Sequence, residues 1–180
     1  HAAGGACAMA EALLAGEATT AFCAVRPPGH HAAVNVTSGF CLFNNVAVAA
    51  QHAIDALGAR RVLIVDWDVH HGNGTNDIFR TRADVLYASI HRTDIYPGTG
   101  GLTDIGARDG EGFTINLPVA AGSTDDVWLG MLEWIIVPAG EEFAPDLILI
   151  SAGYDAHRDD PLGGCLLDAG SFAEMARHMR

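Results

Sequence analysis

The sequence predicts an α/β fold, a three-layer α-β-α arrangement built on a mainly parallel sheet. Three observations predict it. Short and nearly continuous apolar runs recur, Val62–Val65, Val85–Ile90 and Leu147–Ile150 among them, as in strands buried on both faces. Helical patterns separate these runs, so the strands are joined by crossovers and lie parallel. Polar clusters follow the runs: Arg26–His31, Asp66–Asn73, Ser89–Thr93 and Asp155–Asp160 each sit at a carboxyl end, where open α/β sheets bind their ligands.

Taken in order, Ala2–Leu14 is alanine-rich and reads as a helix ending near Gly16. Thr20–Val25 reads as a short buried strand stopped by Arg26-Pro27-Pro28-Gly29. Cys41–Leu57 is apolar around most of its surface and ends at Gly58, a good left-handed terminator, so it reads as a helix packed between layers. Arg61–Val69 is the second strand, with a glycine turn and a short helix, about Thr75–Arg80, behind it. Val85–Ile90 and Phe113–Leu117 follow as strands, separated by a long loop, His91–Glu111. Ser123-Thr124-Asp125-Asp126 starts a helix expected to run to about Glu142, because hydroxyl caps and first-turn acids satisfy a helix N-terminus. Leu147–Ser151 is the fifth strand, and Ala169 opens a last helix.

The chain has 180 residues, 49% of them hydrophobic, enough for the core of one domain. It opens at His1 inside one helical pattern and stops at Arg180 inside another, so the fold is expected to be incomplete at both ends. A net charge of −12 argues against direct nucleic-acid binding or an anionic membrane surface, and suits a cationic substrate. All ten basic residues are arginine, which with the many alanines fits a GC-rich bacterial source. Four scattered cysteines, Cys7, Cys23, Cys41 and Cys165, form no C-x-x-C pair and read as reduced thiols of a cytoplasmic protein. No apolar run approaches the ~18 residues of a membrane span, and no signal peptide is visible. Oligomeric state is left open.

The chemistry centres on Asp66-Trp67-Asp68-Val69-His70-His71-Gly72-Asn73-Gly74. Strand alternation puts Asp66, Asp68 and His70 on one face. Carboxylates beside an apolar strand need compensation, since the idealised cost of moving one such ion into a dry interior is ~20 kcal/mol. A divalent metal supplies it, Asp oxygen and His nitrogen both being zinc ligands. Standing alone, the pattern fits a strand end running into a polar loop equally well. Asp155, past the fifth strand, would add a third ligand and leave a position open for water or substrate, as in catalytic zinc sites. Asp159 and Asp160 read as caps of the next turn. His30 and His31, on a loop stiffened by two prolines, suit acid–base work because imidazole titrates near ~6.5. Gly39 permits close backbone approach, while Phe40 by itself reads as a core residue beside a helix start.

Five motifs occur in order: RPPGHHA (Arg26–Ala32), GFCLFNN (Gly39–Asn45), DWDVHHGNGT (Asp66–Thr75), YPGTG (Tyr96–Gly100) and GYDAHRDDPLG (Gly153–Gly163). Together they resemble the zinc-dependent histone deacetylase family, including bacterial acetylpolyamine amidohydrolases and acetoin-utilisation proteins, along essentially the whole chain. Asn73, where class I enzymes carry aspartate, resembles the class II-like branch. The resemblance implies an arginase/deacetylase-like fold, with residues 1–180 the central part of a single deacetylase catalytic domain. It implies Asp68, His70 and Asp155 as ligands of one Zn²⁺ (Fe²⁺ being the competing metal), and His30 and His31 as the proton-transfer pair, with Asp66 orienting His30 and Asn73 beside His31. Gly39, Phe40 and Tyr96 would line a tunnel for the acyl-lysine stem, Tyr96 replacing the commoner phenylalanine. A K⁺ ion near Asp66, Asp68, His70 and Ser89 is implied as well.

The function that follows is removal of acetyl groups from acetylated protein lysine; alternatives are an acetylated polyamine or other small acetyl amide as substrate, and a non-catalytic homologue that binds acetyl ligands. A two-Mn²⁺ ureohydrolase would need a D-x-H-x-D spacing that is absent. The family's oxyanion tyrosine, in a glycine-rich loop, has no counterpart up to Arg180, and Tyr154 is not at its position. Losing one such donor costs roughly 10²–10³ in rate elsewhere, and missing strands would leave the sheet edge uncovered, so these 180 residues alone are expected to fold poorly and to be close to inactive.

Overall fold

The computed structural model describes residues 1–180. Its centre is a four-stranded, fully parallel sheet in the order β3-β2-β1-β4, with β1 Val62–Asp66, β2 Val85–Arg92, β3 Thr114–Val119 and β4 Leu147–Ser151. Alternation along β1 sorts the core into two halves. Val62 and Ile64 face one layer, built from α1 (Ala2–Leu14), α2 (Asn45–Leu57) and α3 (Asn73–Phe79). Leu63 and Val65 face the other, built from α4 (Asp125–Met131), α5 (Val137–Phe143) and α6 (Ala169–His178), where Trp128, Leu132, Ile136 and Met175 are fully buried. Both faces are covered over β1 and β2, which is why those strands read as unbroken apolar runs, whereas at the β4 edge only Leu147 is buried.

Helix α2 packs on α1 at one side and on β1 and β4 at the other, and its buried side chains are all alanine (47, 49, 50 and 53), so the backbones approach closely. Its start lies at Asn45, four residues later than the pattern suggested, because the Asn44 side chain caps it by accepting from the Ala47 N–H at 3.1 Å. Gly58, with φ 79°, ends it as expected.

Two expectations need correction. Thr20–Val25 is not a strand: the segment has no ladder partner, and Phe22 is 73% exposed. Apolar composition cannot by itself supply the neighbour that a strand requires. The helix expected to run from Ser123 to Glu142 starts at Asp125 and opens into a π turn, Leu132–Ile136, before α5. Pro138, in the first turn of α5, has no N–H to return to the preceding turn, and the local widening follows from that missing donor.

Candidate metal centre and acid–base site

Strand β1 stops at Asp66, and the chain beyond it leaves the carboxyl edge of the sheet as a tight polar loop. Backbone N–H groups of that loop aim the carboxylates. Asp66 Oδ1 accepts from the Asp68 N–H at 3.2 Å, Asp68 Oδ1 from the His70 N–H at 2.9 Å, and Asp155 Oδ1 from the Val69 N–H at 2.9 Å. Gly153 lets the β4 end approach: a Cβ there would lie 2.2 Å from Asp68 Oδ2. The loop carrying Asp155 is tied to β2 by Arg92, whose guanidinium donates to the Gly163 and Leu162 carbonyls at 3.0 and 3.3 Å.

Asp68, His70 and Asp155 thereby converge, with one ligand atom from each lying within 4.8 Å of the others. His70 Nδ1 is 3.0 Å from Asp68 Oδ1 and 2.9 Å from Asp155 Oδ2. A ring nitrogen carries at most one proton, so it can satisfy only one of two carboxylates held this close. The hydrogen bonds of Asp155 and then Asp68 raise the His70 pKa to about 10. A divalent cation would take that proton's place, and the nitrogen-plus-two-oxygen donor set fits one.

Asp66, grouped with these residues by strand alternation, stands behind them. It is fully buried and accepts from His30 Nδ1 at 3.0 Å and from the Tyr87 hydroxyl at 3.2 Å. His30 Nε2, on the other side of the ring, lies 3.9 Å from Asp68 Oδ1. The His31 ring lies against His30, tilted by 45° with centroids 4.0 Å apart, and bonds Asn73 Oδ1 through Nδ1 at 2.8 Å. With Nδ1 donating to that amide oxygen, Nε2 of His31 is the free base.

Environment separates the two imidazoles. Burial works against a charge on His30, but the charge and hydrogen bond of Asp66, aided by Asp68 and Asp155, outweigh it and raise its pKa to about 9. Burial first, and then the positive field of His30, depress the pKa of His31. One histidine is built to hold a proton and the other to lack one.

The loop 38–41 and the loop after β2 flank this pair. Gly39 has φ 52°, and a Cβ there would meet the His31 ring at 2.1 Å. Phe40 is 93% exposed, which overturns the reading of it as a core side chain; with φ 64° its backbone turns the ring outwards. Tyr96 sets its ring edge-on to His31 at 4.9 Å and hydrogen-bonds the Ser38 hydroxyl, linking the two loops. Its own loop rests on two buried rings: Thr99 Oγ1 bonds His71 Nδ1 at 2.8 Å, and His91 Nε2 donates to the Gly100 carbonyl at 2.9 Å. Asp160 caps a turn, as expected, accepting from the Leu162 and Gly163 N–H groups at 2.9 and 2.7 Å, whereas the Asp159 carboxylate points to solvent and caps nothing.

Arg92, Ser38 and Asn44 lie in or beside the polar clusters and motifs of the sequence without a role of their own there, and Tyr87 lies outside them all. For Tyr87 a signal existed: Tyr87, Ser89 and His91 alternate along β2, a polar line on one face of an otherwise apolar strand. Ser89 is fully buried opposite Asp66 in the β1–β2 register, its hydroxyl 2.9 Å from His91 Nδ1.

A parallel α/β sheet with an aspartate–histidine cluster able to hold a metal at its carboxyl edge, and a buried histidine pair alongside, defines an α/β fold with a candidate metal site. The comparisons name the family. A family model described as "Histone deacetylase domain" matches residues 1–180, and the chain belongs to that family. It is 46% identical over 180 residues to "Histone deacetylase 15" of Arabidopsis thaliana, covering 97% of this chain and 32% of that protein. Against the "Histone deacetylase-like amidohydrolase" of Pseudomonas aeruginosa it is 44% identical over 179 residues, covering 99% and 47%. The crystal structure of the HDA15 HD domain superposes with a TM-score of 0.96 at 44% identity, covering 99% of this chain and 53% of that one. The chain thus spans about half, or less, of the proteins it matches. Relatives come from plants, a nematode, an archaeon and a bacterium, so the family does not narrow the source to bacteria. No helix is long and apolar enough to cross a membrane.

Proposed function

We propose that residues 1–180 are the central part of a single deacetylase catalytic domain that hydrolyses the acetyl amide of acetylated lysine side chains. The observation that carries this reading is the convergence of Asp68, His70 and Asp155 beside a histidine pair backed by a carboxylate on one ring and an amide oxygen on the other. Asp68, His70 and Asp155 would hold one Zn²⁺, which when bound polarises a carbonyl and lowers the pKa of a water. His31, kept neutral with Nε2 free, accepts the proton of the attacking water as its oxygen bonds to the amide carbon. His30, its Nδ1 bonded to the Asp66 carboxylate, gives a proton to the nitrogen as the C–N bond breaks, and acetate and a free amine result. Gly39, Phe40 and Tyr96 are the channel walls for the substrate stem in this reading, with the outward Phe40 ring at the mouth. Asp66, Asp68 and His70 with the buried Ser89 would hold a K⁺ ion that offsets the Asp66 charge. Four unpaired cysteines support action in a reducing compartment, the cytoplasm first.

The test is turnover by the full-length protein, loaded with Zn²⁺ or with Fe²⁺, on an acetyl-lysine peptide and on N-acetylputrescine. Acetate release from the peptide with one metal per chain is the expected result. Preference for N-acetylputrescine would move the substrate to acetylpolyamines, and no hydrolysis of either would overturn the reading.

A further inference from the structure

One buried group, in contact with the Asp66 carboxylate that backs His30, has no part in the mechanism above. Tyr87 is fully buried, its ring packed in the core layer that holds Ile64 and Phe79. For that packing alone a phenylalanine would serve, yet a buried hydroxyl needs a partner. The Tyr87 hydroxyl lies 3.2 Å from Asp66 Oδ2 and 3.2 Å from the Gly72 carbonyl. The same Oδ2 receives His30 Nδ1 at 3.0 Å, while Oδ1 is engaged by the Asp68 N–H at 3.2 Å. Asp66 has no arginine partner, so the phenol is its one neutral side-chain donor.

The sheet register explains why the residue is a tyrosine. Tyr87 sits opposite Ile64, and Ser89 sits opposite Asp66, so the hydroxyl must climb two residues, about 6.6 Å, to reach the carboxylate. A phenol spans that rise, while the serine directly across from Asp66 bonds His91 instead. The meeting point is crowded as well. A Cβ on Gly72 would stand 2.3 Å from Asp66 Oδ2, 2.5 Å from the Tyr87 hydroxyl and 3.1 Å from His30 Nδ1. Backbone, carboxylate, phenol and imidazole thus close around one point, and each restricts the others.

We propose that Tyr87 is a positioning residue for the hydrolysis, its hydroxyl fixing the Asp66 carboxylate and, through it, the His30 ring. It acts from behind, without touching substrate. The inference rests on the function proposed above, because only a proton-transferring His30 makes the orientation of its ring matter to rate.

The experiment is a double-mutant cycle in full-length, zinc-loaded protein with the substrate that the wild type hydrolyses. Tyr87→Phe, Asp66→Asn and the double variant are compared by kcat per active site, counted by titration with a tight zinc-chelating hydroxamate, and by KM. Removing a hydrogen bond to a buried charge gives an expected fall in kcat of about tenfold for Tyr87→Phe, with KM within about twofold. In the Asp66→Asn background the same change should add nothing, because the hydroxyl then has no carboxylate to hold. An unchanged kcat in Tyr87→Phe overturns the proposal while leaving the proposed function standing, and an equal fall in both backgrounds overturns it in favour of a packing role. A wild type without activity overturns both. Should Asp66→Asn fall below detection, crystal structures of wild type and Tyr87→Phe decide: a turned Asp66 carboxylate or displaced His30 ring supports the proposal, and superposing side chains overturn it.

Discussion

His30 and His31 are neighbours in sequence with rings 4.0 Å apart, yet their protons are held in opposite senses by what stands behind them. A carboxylate backs the first and an amide oxygen the second. In the proposed mechanism this makes His31 the base, and replacing it with alanine should lower kcat by about 10²–10⁴-fold with zinc content unchanged. Steady-state kinetics and metal analysis on the full-length protein check this. A second residue-scale expectation concerns His91, buried beneath the Tyr96 loop. Burial lowers its pKa, the Gly100 carbonyl opposing this in part. Unfolded His takes a proton near ~6.5 while folded His91 resists it, so the unfolded state binds more protons as pH falls. Its share of stability is complete above ~6.5 and is lost as pH drops towards the lowered folded value. Thermal melts between pH 7.5 and 5 should therefore fall less steeply for His91→Gln than for wild type, starting from a lower Tm.

At the scale of elements, the site depends on joints between segments far apart in sequence. Asn44 caps α2 and also donates to the Ala32 carbonyl and to Thr75 Oγ1, both at 3.0 Å. It pins the segment after His31 to the start of α3, where the Thr75 N–H already bonds the His30 carbonyl at 3.1 Å. Asn44→Ala removes a cap and leaves buried partners unpaired, so a loss of roughly 2–4 kcal/mol is expected from denaturant unfolding. Turnover should fall with it. Substituting the exposed Asn35, with no such contacts, should change neither. Element boundaries were legible where a local cause sets them, as at Gly58 and Asp168. The latter makes a reciprocal capping box with Ser171. They were not legible where the cause is a partner: Thr20–Val25 finds no neighbouring strand, and the widening before Pro138 appears only once the helix is built.

At the scale of the whole molecule, a net charge of −12 surrounds a site proposed to take a cationic or neutral chain. An acidic field raises the encounter rate of a cation and is screened over about 8 Å at physiological ionic strength. The kcat/KM for N-acetylputrescine, or for a lysine-rich acetyl peptide, should therefore fall several-fold between 20 and 500 mM salt. An uncharged acetyl amide should show little change, and equal salt dependence for both would remove the electrostatic argument.

The layered α/β architecture, the edge of the sheet that carries chemistry, and the residue types gathered there are all legible in the order of residues along the chain. These follow from apolar period, turn chemistry and the order of motifs, all local properties of the chain. Tertiary structure decided which of those residues meet. Asp66, Asp68 and His70 share a parity in the sequence, but β1 ends at Asp66. The strand end therefore sends Asp66 inwards to His30 and Tyr87, and sends Asp68 and His70 on to join Asp155 from β4. Tyr87 became visible only through the β1–β2 register, and Phe40 proved to be exposed only once the loop around it closed. Alternation records which face a side chain takes; distances across a sheet depend on register and on where each strand stops, and those are set by the partners it finds.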